Sequence, residues 1–416
     1  MIKGLAFSAT AALAVCLAAP LDAQQEEHRA LEQRVAERLA STEASLIELR
    51  RDIHQHPEVS GQEERTAGVI AARLQALGFE VQTGVGGHGV VGILRGGRSG
   101  PMIAFRADMD AVPSNAPDPV EFRSLTPGVR HICGHDVHVT VGIGIAEGLS
   151  AVRDELAGSV MLVFQPAEES ATGAKAMLAD GVFASAKPDA IYAVHTAPYP
   201  VGQLGTAPGG MMAGRDIVQV TVRGTGDLEA AVAAVGEAIQ SVSTVPPAMA
   251  LQPQPEGFIL AQVLPTAPTP DGEGQLVRAQ ITTASAEARA RGKATILESL
   301  EALVLNDVTI ETGYQDRFMA GVTNDADLVS RANASIRGVL GDEAVVLVEG
   351  VPPVFSEDFG SFQDEVPGVM YFLGVSNPEK GIVGMPHSPG YVADERAILV
   401  GARAMTAVIL DWLSPQ

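Results

Sequence analysis

The sequence has few cysteines. Among its 416 residues only Cys16 and Cys133 occur, and Cys16 lies within an apolar run over residues 5–19. This run and the small residue Ala23 after it have the order of a secretory signal peptide, which predicts cleavage after Ala23 and export to the periplasm or the medium. The mature chain would then keep one cysteine and could form no internal disulfide.

Long apolar runs and basic residues are also scarce. After residue 23 no apolar stretch approaches the roughly 20 residues of a membrane-spanning helix, and the N-terminal run is too short for one. A lipoprotein signal at Cys16 is disfavoured because Val15 is bulky where a small residue is expected. Lysine and arginine number 28 against 50 acidic residues, so the net charge is −22. Such a chain has little with which to neutralise phosphates, which argues against nucleic acid as a partner.

The apolar pattern predicts an α/β fold. Helical spacing extends over residues 28–57, where His56-Pro57 ends it, and a second helix is predicted over residues 63–77. Six segments have strand character: 79–82, 90–94, 102–105, 160–164, 191–194 and 370–373. Helical stretches such as 139–149 lie between them, which is typical of a mostly parallel central sheet covered by helices.

Residues 214–318 differ from their surroundings. They contain no histidine and show a strand, an alanine-rich helix, a proline-rich passage and another helix. This order suits a small α+β domain inserted into a larger one. We therefore predict a signal peptide over 1–23, a catalytic domain built from 24–213 and 319–416, and an inserted domain over 214–318.

One glycine-rich segment imitates a cofactor motif. Residues 84–89 match the spacing of the dinucleotide-binding fingerprint, but a predicted strand follows them where the fingerprint requires a helix. The segment is therefore predicted to be a hairpin turn, and no nucleotide cofactor is implied.

Metal-ligating side chains gather where predicted strands end or helices begin. The candidates combine a thiol, imidazoles and a carboxylate: Cys133, His135, Glu169, His195 and His387. This mixture suits zinc first, with manganese, cobalt or nickel as alternatives. Five ligands exceed one tetrahedral site and suffice for two divalent ions.

Ordinary roles account for the other candidates. A lone cysteine is usually a small buried hydrophobe, and lone histidines are usually satisfied or exposed side chains. We assign five histidines to that class: His28, His54, His56, His88 and His131. Asp136 is expected to favour the start of a helix electrostatically.

Five motifs in order resemble one enzyme superfamily. They are Arg106-Ala107-Asp108-Met109-Asp110-Ala111-Val112-Pro113, His131-Ile132-Cys133-Gly134-His135-Asp136-Val137-His138, Phe164-Gln165-Pro166-Ala167-Glu168-Glu169, Ser356-Glu357-Asp358-Phe359 and His387-Ser388-Pro389. Together they look like the signatures of the metal-dependent aminoacylase/carboxypeptidase superfamily. More narrowly, they resemble its amidohydrolase branch, which includes hippurate hydrolases and auxin-conjugate hydrolases.

The resemblance implies a two-metal catalytic domain with an inserted lid or dimerisation domain. Carried over by position, it makes the five candidates above the metal ligands and Glu168 the general base. We assign Asp110 the role of orienting a ligand histidine, and Glu357 and Asp358 a role in supporting the site or facing substrate.

The inserted segment departs from the resembling family. Members usually carry a histidine shortly after the first strand of the lid, whereas Arg223-Gly224-Thr225-Gly226-Asp227 runs here directly into the predicted helix. No histidine lies between His195 and His387. Thr282 also stands about where an arginine is expected.

These observations predict an exported two-metal amidohydrolase. It would cleave the amide bond of N-acyl amino acids or of related small acylated or peptide-like compounds, and it could form a homodimer. Two alternatives stay open. One is a metal-dependent exopeptidase that acts on small peptides, and the other is a non-catalytic protein that only retains metal.

Overall fold

The computed structural model describes residues 12–414. Residues 1–11 of the predicted signal peptide lie outside this range, and its cleavage and the export of the chain stay predictions. The helices are α1 (Ala12–Gln55), α2 (Glu64–Ala76), α3 (His135–Ser150), α4 (Gly173–Ala179), α5 (Leu228–Gln240), α6 (Ala286–Glu301), α7 (Ala326–Leu340), α8 (Gly360–Gln363) and α9 (Arg396–Leu413). In this described range no helix is both long and apolar enough to cross a membrane.

The strands form two larger sheets and two small ones. They are β1 (Glu80–Val85), β2 (Gly89–Arg95), β3 (Arg98–Asp108), β4 (Val112–Pro113), β5 (Val129–Arg130), β6 (Ala157–Gln165), β7 (Ala190–Pro200), β8 (Leu204–Thr206), β9 (Gly209–Met212), β10 (Gly214–Gly224), β11 (Ile259–Val263), β12 (Ala267–Pro268), β13 (Gly274–Thr283), β14 (Val308–Met319), β15 (Val322–Asn324), β16 (Val345–Leu347) and β17 (Gly368–Ser376).

The central sheet has the order β1-β2-β6-β3-β7-β17-β8-β16. Its middle strands β6, β3, β7 and β17 are parallel, while β1, β2 and β8 add antiparallel pairings. This confirms the predicted α/β fold with a mostly parallel core. All six predicted strands are present, and each has more residues than its predicted segment; β1 begins one residue later than predicted, at Glu80.

Strand β6 shows why the apolar runs form a sheet buried on both faces. Val160, Leu162 and Phe164 face the core cluster that also contains helices α1, α3 and α9, whereas Met161 and Val163 face a second cluster on the other side. Alternate side chains of a strand point to opposite faces, so a continuous apolar run is needed here. Helix α1 buries its predicted apolar stripe, including Leu39, against helices α3 and α9, which cover the first face.

The hairpin prediction for residues 84–89 is confirmed. Strands β1 and β2 pair antiparallel through a turn that ends with Val85 opposite Gly89. Gly86 and Gly87 have positive φ, a conformation that glycine adopts without strain. A strand follows this glycine-rich turn, so it has no helix N-terminus at which to hold a pyrophosphate.

The second large sheet is antiparallel and has the order β11-β13-β10-β14. It begins at Gly214 and ends at Met319, and helices α5 and α6 pack on one of its faces through a core that includes Val220, Val235 and Ile296. Its part as a lid or dimerisation domain stays a prediction.

Candidate metal centre and active site

The candidate residues meet at one edge of the central sheet. Strands β3, β6 and β7 are parallel, so their carboxyl ends share an edge. Asp108 ends β3, Glu168 and Glu169 follow β6, and His195 lies in the second half of β7. Ligand sites of open α/β sheets form at this kind of edge.

The five predicted ligands lie in overlapping clusters. Cys133, His135 and His195 have ligand atoms within 4.8 Å of one another, and so do Cys133, Glu169 and His387. The Sγ of Cys133 is 3.4 Å from His195 Nε2, and His387 Nε2 is 3.3 Å from Glu169 Oε1. Cys133 belongs to both groups, as a ligand shared between two ions would.

Backbone contacts orient His195 toward this centre. Its Nδ1 lies 2.8 Å from the carbonyl oxygen of Thr196, which can only accept a hydrogen bond, so Nδ1 carries the proton. Nε2, beside Cys133, is left with its lone pair. Burial, with a smaller contribution from His138, lowers the pKa of His195 to about 3, which keeps the ring neutral as a ligand requires.

His138 is close to the centre but has both ring nitrogens in use. Its Nδ1 is 2.6 Å from Asp108 Oδ1, and its Nε2 accepts a hydrogen bond of 2.8 Å from the backbone N–H of Thr196. The group formed by Asp108, His135 and His138 could also hold an ion by spacing alone. We assign His138 a supporting role because its nitrogens are already bonded.

Asp110 links the loop that carries Glu168 and Glu169 to His135. Its oxygens accept hydrogen bonds from the backbone N–H groups of Glu168 and Glu169 at 3.2 and 3.0 Å, and from Ser60 Oγ at 2.6 Å. Asp110 Oδ1 also lies 3.3 Å from His135 Nδ1. One side chain therefore fixes the loop after β6 and lies where it can orient a ligand imidazole.

Unusual backbone conformations concentrate around the site. Ala167, Ala171 and His387 have positive φ angles although they are not glycine, and such strain is common at functional sites. Gly134 has φ 94° at the start of α3, and a Cβ there would lie 2.3 Å from the Tyr391 hydroxyl oxygen. Only glycine fits between Cys133 and His135.

A buried arginine lies beneath the site. Arg106 Nε donates to Gln165 at 2.7 Å, Nη1 to Asp108 at 2.6 Å, and Nη2 to Glu357 at 2.8 Å and Asp358 at 3.2 Å. All three carboxylate groups are fully buried. Glu357 and Asp358 thus support the site through Arg106, and Glu357 also lies within 4.8 Å of Glu168.

Negative charge is in excess at the site. Burial, followed by the charges of Glu357 and Glu169, raises the pKa of Glu168 well above the usual carboxyl range. Burial and Glu169 likewise raise the pKa of the Cys133 thiol. Burial disfavours a charged His135, but the carboxylates of Asp108, Asp110 and Glu169 together outweigh it and raise the pKa of His135 to about 10.

The residues fit divalent cations. His135 Nε2 and Glu169 Oε1 are buried and have no hydrogen-bond partner within the described part of the chain. A cation would satisfy both atoms, offset the excess of carboxylates and favour the thiolate form of Cys133. The thiolate, imidazole and carboxylate donors suit a transition-metal ion.

The histidines predicted to have ordinary roles lie outside the clusters. His54 is buried between Asp136 and Asp118, with nitrogen-to-oxygen distances of 2.8 and 3.0 Å. Asp136 also forms a buried ion pair with Arg50, whose Nε lies 2.7 Å from Asp136 Oδ2, so it does more than favour the start of α3. His131 is buried and its pKa is lowered to about 3, chiefly by burial.

The site opens into a cavity of about 540 Å³. Cys133, Glu168, Glu169, His195 and His387 line it together with residues of the second sheet region and of the segment before α8. A second cavity of about 420 Å³ shares four of the lining residues, namely His195, Met212, Phe355 and Pro386. Together the cavities would accommodate a small substrate with an apolar group.

A family model and several relatives match the chain. The model of peptidase family M20/M25/M40 matches residues 104–411. The chain belongs to this family. Membership agrees with the resemblance drawn from the sequence motifs, and it makes the protein a metal-dependent hydrolase of amide bonds in small substrates.

Two relatives align with most of the chain. Thermostable carboxypeptidase 2 of Saccharolobus solfataricus is 30% identical over 380 residues, which cover 88% of this chain and 95% of the relative. IAA-amino acid hydrolase ILR1-like 2 of Arabidopsis thaliana is 29% identical over 380 residues, 88% of this chain and 85% of the relative.

A solved structure shares the fold. The YxeP protein of Bacillus subtilis, described as a dinuclear metal-binding peptidase of the M20 family, has a TM-score of 0.74 and 27% identity. The match covers 89% of this chain and 98% of that protein.

Proposed function

We propose that the protein is a two-metal amidohydrolase that cleaves N-acyl amino acids, with zinc as the expected metal. The observation that carries the proposal is the shared position of Cys133 between two ligand groups, one with His135 and His195 and the other with Glu169 and His387. The dinuclear metal site named for YxeP supports the count of two ions. The thiolate and imidazole donors favour zinc over harder ions.

The chain supplies a base beside the proposed ions. When bound, the ions polarise the substrate carbonyl and make water easier to deprotonate. Glu168 lies in the same cavity with its side chain mostly buried, and it would take a proton from the attacking water and return it to the departing amine. Burial and the neighbouring carboxylates raise its pKa, and bound cations would oppose this shift and favour the ionised form that accepts the proton.

The neighbouring cavity favours an acyl group over a peptide's N-terminus. Tyr199, Leu347 and Phe372 line it, and Glu349 is the one acidic residue among the lining side chains of this cavity. A dipeptide would bring a charged ammonium to the place that an apolar acyl group would fill, and burying that charge is costly. N-acyl amino acids are therefore the preferred class.

A substrate panel tests this function. We expect zinc-loaded protein to hydrolyse N-benzoyl and N-acetyl amino acids faster than dipeptides of the same C-terminal residue. The measurement is kcat/KM for each pair by amine release. Faster hydrolysis of the dipeptides would instead identify the exopeptidase alternative, and hydrolysis of neither class by protein with full metal content would favour a metal-retaining binding protein.

A further inference from the structure

One cationic side chain of the cavity stands apart from the rest. Arg215 is the only lysine or arginine among the described residues that line the metal-site cavity. It lies at the start of β10, in the second sheet, and reaches the cavity that Glu168 and Glu169 line from the central sheet. The two parts of the molecule thus supply opposite charges to one space.

Arg215 is half-buried and lacks the anionic partners that the buried arginines have. Its Nη2 donates to the Val354 carbonyl oxygen at a long 3.4 Å, and its buried Nε has no partner within residues 12–414. No carboxylate of this described range lies within ion-pair distance of Arg215, whereas Arg106 contacts three. Burial lowers the pKa of Arg215, and the charge of Glu168, which forms no ion pair with it, offsets this only in part.

Asp216, the next residue in the strand, is not an ion-pair partner of Arg215. Asp216 follows it in the strand, so its side chain points to the opposite face. Asp216 already accepts from the Tyr314 hydroxyl at 3.1 Å and from the backbone N–H of Arg317 at 2.6 Å. The guanidinium of Arg215 therefore remains available to an anion in the cavity.

Two neighbours of Arg215 fit an anion site. Thr282, which stands about where an arginine was expected, lies directly opposite Arg215 in the antiparallel pairing of β10 with β13. Residues opposite each other point to the same face, and the small threonine leaves room for the guanidinium. The Ser356 hydroxyl lines the same cavity, is buried, and has no hydrogen-bond partner in the described structure.

We propose that Arg215 binds the free carboxylate of the substrate and so makes the enzyme select acylated amino acids over their amides and esters. The proposal rests on the function proposed above. A guanidinium presents two parallel N–H donors that match a carboxylate, and it keeps its charge in a partly buried place. The permanent charge of a carboxylate complements Arg215 throughout binding, whereas charge on the reacting carbonyl oxygen arises only in the transition state.

Binding without turnover tests the assignment. In a Glu168→Gln background loaded with zinc, calorimetry would compare N-benzoylglycine with N-benzoylglycinamide, which differ only at the carboxylate. We expect the acid to bind about 10- to 100-fold more tightly than the amide, as a charge-assisted pair allows. Adding Arg215→Gln should remove this difference by weakening the acid alone, and Arg215→Lys should keep part of it.

The matched control is Arg223→Gln. Arg223 lies on the same strand but pairs with Asp271 on the surface, 2.7 Å away, and its substitution should leave both affinities unchanged. In otherwise wild-type protein, Arg215→Gln should raise KM for the acid and change kcat little. Metal content and melting temperature, measured on each variant, check that the site remains assembled.

Three results would overturn the assignment. They are equal affinities of acid and amide before the substitution, equal weakening of both ligands by Arg215→Gln, and a fall in kcat on both substrates, which would mark Arg215 as a group acting on the reacting carbonyl. These results are distinct from failure of the proposed function. A protein that hydrolyses no N-acyl amino acid, yet binds the acid through Arg215, would refute the function alone.

Discussion

Glu168→Gln should lower kcat by about 10²- to 10⁴-fold while both metal ions stay bound. Glutamine keeps the size of the side chain but cannot accept a proton from water. The ligand atoms of the two proposed clusters that share Cys133 do not include Glu168, so the metal content should not fall. The measurement is kcat on an N-acyl amino acid beside the metal content of the same preparation.

A matched variant separates this effect from a general loss of charge. Glu365 is exposed, lies 3.6 Å from Lys187, and belongs to neither ligand cluster. Glu365→Gln should therefore keep wild-type kcat. If Glu168→Gln retained kcat within about twofold of wild type, Glu168 would lose the role of base; if it lost an ion instead, Glu168 would be a ligand.

Arg106→Met should lower the free energy of unfolding by about 3–5 kcal/mol. The substitution leaves Asp108, Glu357 and Asp358 buried without the cation that they share. The cation of Arg106 offsets the burial of these carboxylates only in part, because burial and Glu357 raise the pKa of Asp358 to about 8 even with Arg106 present. Urea unfolding of both proteins in chelator would measure the difference without a contribution from metal.

The pH dependence of this loss has a defined sign. Carboxylates without a counter-ion have a folded-state pKa above the unfolded value, so they destabilise most at neutral pH and are relieved as protonation sets in at lower pH. The deficit of Arg106→Met should therefore be smaller near pH 5 than near pH 7. Arg95 on the surface, paired with Glu80, is the control, and Arg95→Met should cost about 1 kcal/mol or less. A similar cost for both arginines would contradict the role of Arg106.

Much of the fold could be predicted from local pattern. The buried strands are continuous apolar runs because both faces of β6 and its neighbours are covered, and α1 shows its buried stripe as helical spacing. The ends of these elements depend on tertiary contacts. Strand β3 continues through Arg106 to Asp108 because these polar residues are paired inside the protein, which a hydropathy pattern does not show.

The site can be predicted where its residues lie in short local motifs, and not where the contacting residues are far apart in the sequence. Cys133, His135 and Glu169 stand out by chemistry and spacing. The role of Thr196 does not stand out, because Thr196 acts through its backbone: its carbonyl oxygen orients His195, and its N–H group donates to His138. Arg106 lies within a quoted motif, but its contact with Glu357 spans 251 positions. Arg215 carries no motif signal, and only its place in the cavity and its lack of an anionic partner reveal it.

The metal content of the purified protein, measured with its activity, tests the central claim most directly. Wild-type protein loaded with zinc should hold two ions per chain, lose hydrolysis of N-acyl amino acids after treatment with chelator, and regain it with zinc. Cys133→Ala should hold fewer ions because the shared thiolate is lost, whereas His56→Ala, at a partly exposed histidine 3.4 Å from Asp52, should hold both. Activity that survives complete removal of metal, or full metal content in Cys133→Ala, would contradict this account of the site.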